Sequence, residues 1–241
     1  RGIITASSGN HGAATSLVAR LTGPRATVFL PETVASAKHD KITRNGAETV
    51  LVPGNGVEAE IVARASAEKE GRTFISPYSD WDVIAGQGTT GLELSEQCPD
   101  LAAVYVAVGG GGLIGGIGSY LKAVSPGTEI IACWPENSKA LYHCIESGDV
   151  HEVPESPTLS DGTAGGIEEG AITLPVCARF IDSTLFISEM EIALALREMD
   201  VHAHTQIEGA AGVALAAVLR DGHRSRDQKI AVVICGLNIA L

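Results

Sequence analysis

Four consecutive glycines, Gly109 to Gly112, lie between an apolar run and a segment of helical periodicity. Such a run leaves backbone N–H groups bare at the start of a helix, where the helix dipole favours an anion. A tight turn needs one glycine, so four indicate a phosphate-binding loop. Gly110, Gly112 and Gly115 also match the dinucleotide-binding fingerprint, with Glu136 as the ribose-binding acid, so an NAD-dependent oxidoreductase is an alternative.

A second polar turn, Ser7-Ser8-Gly9-Asn10-His11-Gly12, also lies between a strand pattern and a helix pattern. Its hydroxyls, its amide and its backbone N–H groups converge at the start of a helix, and this arrangement suits a carboxylate. The alternative interpretation is a plain N-cap, for which a single Ser or Asn side chain would suffice. Together the two turns predict a phosphate-bearing cofactor and an acidic substrate.

The elements that must position these turns follow from the hydrophobic pattern. Short apolar runs alternate with segments of helical period, which predicts an α/β fold of parallel sheets with helices on both faces. A strand at 104–108 and a helix at 113–124 flank the glycines, and a last buried strand is expected at 230–235. We expect a smaller domain over residues 1–78 and a larger one over residues 79–241.

Composition narrows the class of protein. The 241 residues include 29 Asp and Glu against 17 Lys and Arg, and this net charge of −12 argues against binding to nucleic acid or to anionic membranes. No apolar run approaches the ~20 residues of a membrane helix. Five widely spaced cysteines without a CxxC pair indicate reduced thiols in the cytoplasm. The chain opens at Arg1 within a strand pattern, so we expect an N-terminal part to be missing.

Four segments resemble, in order and spacing, the threonine/serine dehydratase family of fold-type-II pyridoxal-phosphate enzymes: Thr5 to Gly12, Val83 to Thr89, Val108 to Leu113, and Cys235 to Asn238. The resemblance implies a two-domain, tryptophan synthase β-like fold with pyridoxal 5′-phosphate as cofactor. It implies an ammonia-lyase that eliminates water from a small β-hydroxy amino acid such as threonine or serine, giving a 2-oxo acid and ammonia. A homodimer is also expected.

The resemblance assigns cofactor-binding roles to seven residues. Asn10 would bond the 3′-oxygen of the ring, and Cys235 would lie beside the pyridine nitrogen where the family usually has Ser. The phosphate would be held by Gly109, Gly110, Gly111, Gly112 and Leu113.

Substrate contacts are implied for the polar turn. The residues that would bind the substrate carboxylate are Ser7, Ser8, Asn10 and His11. Ser8 also matches the acid/base serine of racemases in this family, so it is the candidate catalytic residue. Three further candidates near the cofactor or substrate are Asp161, Gly162 and Glu208.

Two features depart from the family pattern. The Schiff-base lysine should precede the polar turn by some tens of residues, and none of the lysines at 38, 41, 69, 122, 139 and 229 occupies that place. Trp134 and Ala140 stand where many relatives carry metal-binding acids, so no metal site is predicted.

Several alternatives remain open at this stage. Ser8 favours a serine racemase-type activity, and the loop 161–166 with Trp134 resembles a subgroup that degrades hydroxyectoine derivatives. The absent lysine also allows a non-catalytic module that binds an amino acid or pyridoxal phosphate.

Overall fold

The computed structural model describes residues 2–222 and 227–239. The chain forms two compact units, of which the first ends at Asp80 and the second covers Trp81–Ile239. Within the described ranges, no helix combines the length and apolar character that crossing a bilayer requires.

The first unit is a four-stranded parallel sheet in the order β3-β2-β1-β4. Its elements are β1 (Ile3–Ala6), α1 (Asn10–Thr22), β2 (Ala26–Pro31), α2 (Ser36–Arg44), β3 (Glu48–Val52), α3 (Gly56–Glu70) and β4 (Thr73–Phe74). Because side chains alternate along a strand, Phe29 packs with α3 on one face while Val28 and Leu30 pack with Ala19 and Ile42 on the other. Helices therefore cover both faces of this sheet.

The second unit contains another four-stranded parallel sheet, in the order β7-β6-β5-β8. Its elements are α4 (Trp81–Gln97), β5 (Leu101–Ala107), α5 (Gly112–Val124), β6 (Glu129–Pro135), α6 (Ala140–Ser147), α7 (Thr173–Phe180), β7 (Ser183–Ile187), α8 (Glu189–Ala203), α9 (Gly209–Asp221) and β8 (Lys229–Val232). The predicted α/β class with parallel sheets is confirmed.

Helices α4 and α5 approach closely along a seam of glycines. A Cβ at Gly116 would collide with the carbonyl oxygen of Ile84, and a Cβ at Gly88 would lie 3.2 Å from the carbonyl oxygen of Gly116. The segment Val83 to Thr89, one of the four family-like motifs, thus serves packing. It anchors α5, the helix that opens with the glycine-rich loop.

Two elements differ from the sequence-based expectation. The last strand ends at Val232 and not at Cys235, although the Val233 N–H still donates to the carbonyl oxygen of Tyr105 in β5 at 3.0 Å. An apolar run alone does not separate a strand from buried irregular chain. Helix α7 was not predicted, and in the described chain no side chain caps its N-terminus.

Candidate functional site

The glycine-rich loop leaves the carboxyl end of β5 and runs directly into α5. Gly111 has a φ of +87°, a conformation that residues with a Cβ rarely adopt. A Cβ there would lie 2.6 Å from Leu141 Cδ2 and 2.7 Å from Cys177 Sγ. A Cβ at Gly109 would lie 2.8 Å from the carbonyl oxygen of Thr163. Glycine is therefore required at Gly111 by conformation and at Gly109 by close backbone approach.

The electrostatics of the loop suit an anion. Helix α5, which lies wholly within the described chain, has no acidic residue in its first turn, so the positive end of its dipole is not neutralised from within. Behind the loop, the Cys177 thiol donates to the carbonyl oxygen of Gly111 at 3.4 Å. Burial raises the pKa of Cys177 to about 12, so this thiol stays neutral and does not repel a phosphate.

A turn at 160–163 lies against the glycine-rich loop, because Thr163 supplies the backbone that the first glycine of the loop faces. The hydroxyl oxygens of Ser160 and Thr163 are 2.6 Å apart, and the Thr163 N–H donates to the Ser160 carbonyl oxygen at 3.0 Å. Ser160 is fully buried, whereas Asp161 and Gly162 are exposed. The hydrogen bonds between Ser160 and Thr163 thus hold the two candidate residues at the exposed tip of the turn.

The same turn also packs against the start of α9. A Cβ at Gly209 would collide with the carbonyl oxygen of Leu159. A Cβ at Gly162 would lie 3.4 Å from Ala210 Cβ and 3.9 Å from Glu208 Oε2. Contacts therefore run from the glycine-rich loop through this turn to Glu208, and the structure brings these sequence candidates together.

Cys235 follows the carboxyl end of β8, at the sheet edge that the glycine-rich loop also occupies, because β5 and β8 are parallel neighbours. The side chain is half-buried. Burial, and secondly the charge of Glu208, raises the pKa of Cys235 to about 11. Cys235 is therefore a neutral thiol near pH 7, able to donate or accept a hydrogen bond.

The serine-rich turn of the first unit follows β1 and leads into α1. Gly9 is the N-cap residue and donates its N–H to Ser7 Oγ at 3.2 Å. A Cβ at Gly12 would collide with the carbonyl oxygen of Ser7, so the turn is tight. Within this described turn no side chain caps α1, so the plain Ser or Asn N-cap interpretation is wrong. Ser8 is half-buried and Asn10 is exposed.

His11 is oriented by the strands beside the turn. Its Nε2 lies 3.0 Å from Thr5 Oγ1 and 3.4 Å from the carbonyl oxygen of Ile75. Thr5 is fully buried and donates its hydroxyl to Ile75 at 2.7 Å. Burial is the main influence on His11 and lowers its pKa, against a smaller opposing effect of the Ile75 carbonyl.

Sequence reasoning missed three residues that shape these sites, namely Thr5, Thr163 and Cys177. Thr163 directly follows two candidates in the chain, which is a usable signal. Thr5 opens the family-like segment Thr5 to Gly12 but was given no role of its own, and Cys177 lies on the unpredicted helix α7 and carried no local signal. Leu113, a predicted cofactor contact, is half-buried in the first turn of α5.

Trp134 and Ala140 lie at consecutive elements of the second unit. Trp134 is buried at the carboxyl end of β6, with its ring edge-to-face against Tyr142, and Ala140 begins α6. In the part of the chain that the structure describes, no three His, Cys, Asp or Glu side chains are grouped so that they could hold a metal ion.

Comparison with known proteins assigns the family. The model of the family described as pyridoxal-phosphate dependent enzyme matches residues 1–236. A putative threonine dehydratase of Sinorhizobium fredii is 35% identical over 99% of the chain, which covers 72% of that protein. L-threonine ammonia-lyase of Thermotoga maritima is 36% identical over 99% of the chain, and here the chain spans only 59% of the relative.

Solved structures agree with the sequence comparison. Maize serine racemase superposes with a TM-score of 0.91 at 28% identity, over 100% of this chain and 74% of that one. The α/β fold with two parallel sheets therefore matches that of fold-type-II pyridoxal-phosphate enzymes. The matched residues include the glycine-rich loop, the serine-rich turn and Cys235, and the chain belongs to the pyridoxal-phosphate dependent enzyme family.

Proposed function

We propose that the full-length protein is a pyridoxal-phosphate dependent ammonia-lyase. It eliminates water from a β-hydroxy amino acid such as threonine or serine and yields a 2-oxo acid and ammonia. The observation that carries this proposal is the neutral Cys235 thiol on the sheet edge that holds the glycine-rich loop. The relatives named threonine dehydratase and L-threonine ammonia-lyase support it.

The residues present fit the cofactor. A phosphate needs backbone N–H groups that no side chain covers, and at Gly109 and Gly111 a Cβ would collide with neighbouring protein atoms, so both positions must be glycine. We assign the phosphate to Gly109, Gly110, Gly111 and Gly112, with Leu113 beside them. When bound, pyridoxal phosphate withdraws electrons from the substrate Cα and makes its proton acidic.

Cys235 influences whether elimination or transamination follows from this electron withdrawal. A neutral thiol beside the pyridine nitrogen leaves that nitrogen largely unprotonated, whereas an Asp would hold a proton on it. Cys235 at this position would therefore favour loss of the β-hydroxyl over transamination. The raised pKa of Cys235, about 11, keeps the thiol neutral over the physiological range.

In the first unit we assign the substrate carboxylate to Ser7, Ser8, Asn10 and His11, and the 3′-oxygen of the cofactor ring to Asn10. No side chain caps α1 in the described structure, and the positive end of a helix dipole attracts a carboxylate. The Ser8 hydroxyl is the candidate acid/base group for racemisation. Asp161 and Glu208 support the cofactor side of the second unit.

We further propose that none of the six lysines of this sequence anchors the cofactor. In parallel sheets a crossover helix ends where the next strand begins, so Lys41, Lys69 and Lys122 lie toward the amino edges of the strands. Lys229 opens β8 at the same type of edge. Lys122 is also held by Asp182 at 2.7 Å.

Two measurements test these proposals. With L-threonine or L-serine, the full-length protein loaded with pyridoxal phosphate should release ammonia and the 2-oxo acid in equal amounts. Borohydride reduction followed by peptide mass mapping should find the pyridoxyl group on a lysine outside the printed sequence. A labelled lysine within it contradicts the lysine proposal, and saturable cofactor binding without any labelled lysine leaves only a binding module.

A second candidate activity is racemisation of serine. Ser8 is half-buried in a turn tightened by the contact between Gly12 and Ser7, a placement suited to a fixed proton donor. The structural likeness to maize serine racemase supports it. The appearance of D-serine from L-serine, followed by chiral chromatography, decides between racemisation and elimination alone.

We propose a cytoplasmic homodimer for the full-length protein. Support for the compartment comes from the five cysteines, Cys98, Cys133, Cys144, Cys177 and Cys235, which all lie in the described chain and are all unpaired. Twofold dimers are the commonest soluble assemblies, and sedimentation of the full-length protein tests this state. We also propose that residues 1–78 and 79–241 act as its smaller and larger domains.

A further inference from the structure

Glu208 connects the start of α9 to the turn that carries Cys235. Its backbone N–H donates to the carbonyl oxygen of Gly236 at 2.9 Å. Its carboxylate oxygen Oε1 accepts a short hydrogen bond from the backbone N–H of Asn238. Backbone and side chain of one residue thus hold the 235–238 turn at two points.

The chain leaves space for this carboxylate. A Cβ at Gly236 would lie 2.6 Å from the carboxyl carbon of Glu208 and 2.6 and 2.8 Å from its two oxygens. A Cβ at Gly162, in the turn beside the glycine-rich loop, would lie 3.9 Å from Oε2 of the same carboxylate. The two glycines admit the Glu208 side chain between the 160–163 turn and the 235–238 turn.

Glu208 occupies the N-cap position of α9, yet its side chain does not cap that helix, all of which is described. An N-cap side chain ordinarily accepts from an N–H of its own first turn. Here the carboxylate turns to Asn238 instead. Its position is therefore set by the 235–238 turn and not by the needs of α9.

We propose that Glu208 is a positioning residue for Cys235: its backbone and its carboxylate fix the 235–238 turn, and the carboxylate brings a negative charge to that turn. The inference deepens the proposed function, because it rests on Cys235 as the partner of the pyridine nitrogen. The direct role in substrate binding that the sequence left open for Glu208 is not needed.

The groups around Cys235 support a positioning role for Glu208. Its raised pKa has burial as its main cause and the Glu208 charge as the second. The apolar cluster against which Cys235 packs also contains Cys133 and Tyr105. Burial raises the pKa of Cys133, so it is neutral too, and Tyr105 donates its hydroxyl to Asp221 at 3.3 Å. Among the groups described here, Glu208 is the charged one that influences the pKa of the Cys235 thiol.

The test is the pH dependence of alkylation of Cys235 by iodoacetamide, read by peptide mass mapping on the full-length protein without cofactor. Because the thiolate is the reacting form, the rate follows ionisation. Glu208→Gln keeps an oxygen that accepts from Asn238 and loses the charge. In Glu208→Gln we expect the pH profile of the alkylation rate to shift to lower pH by about half to one pH unit. At a pH below the midpoint, this shift raises the labelling rate ~3- to 10-fold.

Glu208→Asp separates the two parts of the proposal. It keeps the charge, and Asp is a good N-cap residue, but its carboxylate is one methylene shorter and does not reach Asn238. We expect the wild-type midpoint with faster labelling at every pH, since the turn is loosened. The same acid shift in Glu208→Asp as in Glu208→Gln would overturn the role of the charge.

Glu191→Gln is the matched control. The Glu191 carboxylate also accepts a backbone N–H, that of Ser188 at 2.9 Å, and the capping box tolerates Gln at this position. We expect wild-type labelling of Cys235 in this variant. An equal shift in Glu191→Gln would show a general charge effect and overturn the inference.

Protection by the cofactor distinguishes failure of the inference from failure of the proposed function. Pyridoxal phosphate should slow labelling of Cys235 in the wild-type protein if this residue lies beside the ring. Absence of protection contradicts the role of Cys235 itself. Protection together with identical midpoints in wild type and Glu208→Gln overturns only the role of Glu208.

Discussion

His11 Nε2 lies 3.0 Å from the hydroxyl oxygen of Thr5 and donates to it. The direction follows from counting protons: the Thr5 hydroxyl gives its one hydrogen to the Ile75 carbonyl, so toward His11 it can only accept. Burial lowers the pKa of His11, so the ring is neutral near pH 7. A neutral ring that carries its proton on Nε2 offers Nδ1 as an acceptor.

The tautomer of His11 can be observed directly. We expect nitrogen-15 NMR of histidine-labelled protein at pH 7 to show a neutral ring protonated on Nε2, with the signal assigned through His11→Gln. A charged ring, or a proton on Nδ1, would contradict the hydrogen-bond network around Thr5.

Removal of the Thr5 hydroxyl should destabilise the first unit. Thr5→Val preserves shape but leaves the part-buried Ile75 carbonyl and the His11 donor poorly satisfied, a loss of about 1–2 kcal/mol. Urea unfolding measures this change in the free energy of unfolding. Thr22→Val removes an exposed hydroxyl that bonds Val18 at 2.7 Å, and it should stay within about 0.5 kcal/mol of wild type. Equal effects of the two variants would argue against a buried network at Thr5.

The lowered pKa of His11 makes stability depend on pH with a definite sign. The unfolded chain binds a proton at His11 near its ordinary value of 6.5, whereas the folded protein binds it only at lower pH. The contribution of His11 is therefore complete above that value and is lost as the pH falls toward the folded-state pKa. Urea unfolding from pH 8 to pH 5 should show a smaller acid loss in His11→Gln than in wild type, and parallel curves would refute the assignment.

The glycine-rich loop should tolerate no side chain at Gly109. Alanine there meets the Thr163 backbone, so the loop must move, and we expect pyridoxal phosphate to bind at least about tenfold more weakly. Fluorescence titration of the cofactor gives the affinity. Gly127→Ala is the matched control, because a Cβ at that position meets nothing within 4 Å. Wild-type affinity in Gly109→Ala would exclude this loop as the phosphate site.

Ser8 should separate elimination from racemisation. A general acid or base contributes roughly 100-fold or more, so Ser8→Ala should reduce formation of D-serine by about that factor while ammonia release falls less. Chiral chromatography and an ammonia assay on the full-length protein measure the two rates. Ser7→Ala should lower both rates together through weaker carboxylate binding, and undiminished D-serine from Ser8→Ala would remove Ser8 from the reaction.

Local chemistry made several elements predictable. The capping box of Ser188 and Glu191 starts α8 as its spacing indicates, and Gly71 ends α3 in the left-handed conformation that glycine readily adopts. The glycine run lies between a strand and a helix as predicted. These features depend on residues close together in the chain, so composition and spacing suffice to find them.

Other features had no local signal. Helix α7 was missed, and Cys235 was placed at the end of a strand that stops at Val232. An apolar segment adopts strand or irregular structure according to what packs on it. Only the fold shows that Cys235 lies in a turn held by Glu208.

The parallel α/β class, the two glycine-bearing turns and their family could be predicted from short motifs and the hydrophobic period. Which of these residues meet depends on how the elements pack. The approach of Thr163 to Gly109 and the bond from Asn238 to Glu208 join positions tens of residues apart. Such contacts arise when parallel strands bring their carboxyl ends to one edge, and the same packing sets the burial that keeps the thiol of Cys235 and the ring of His11 neutral.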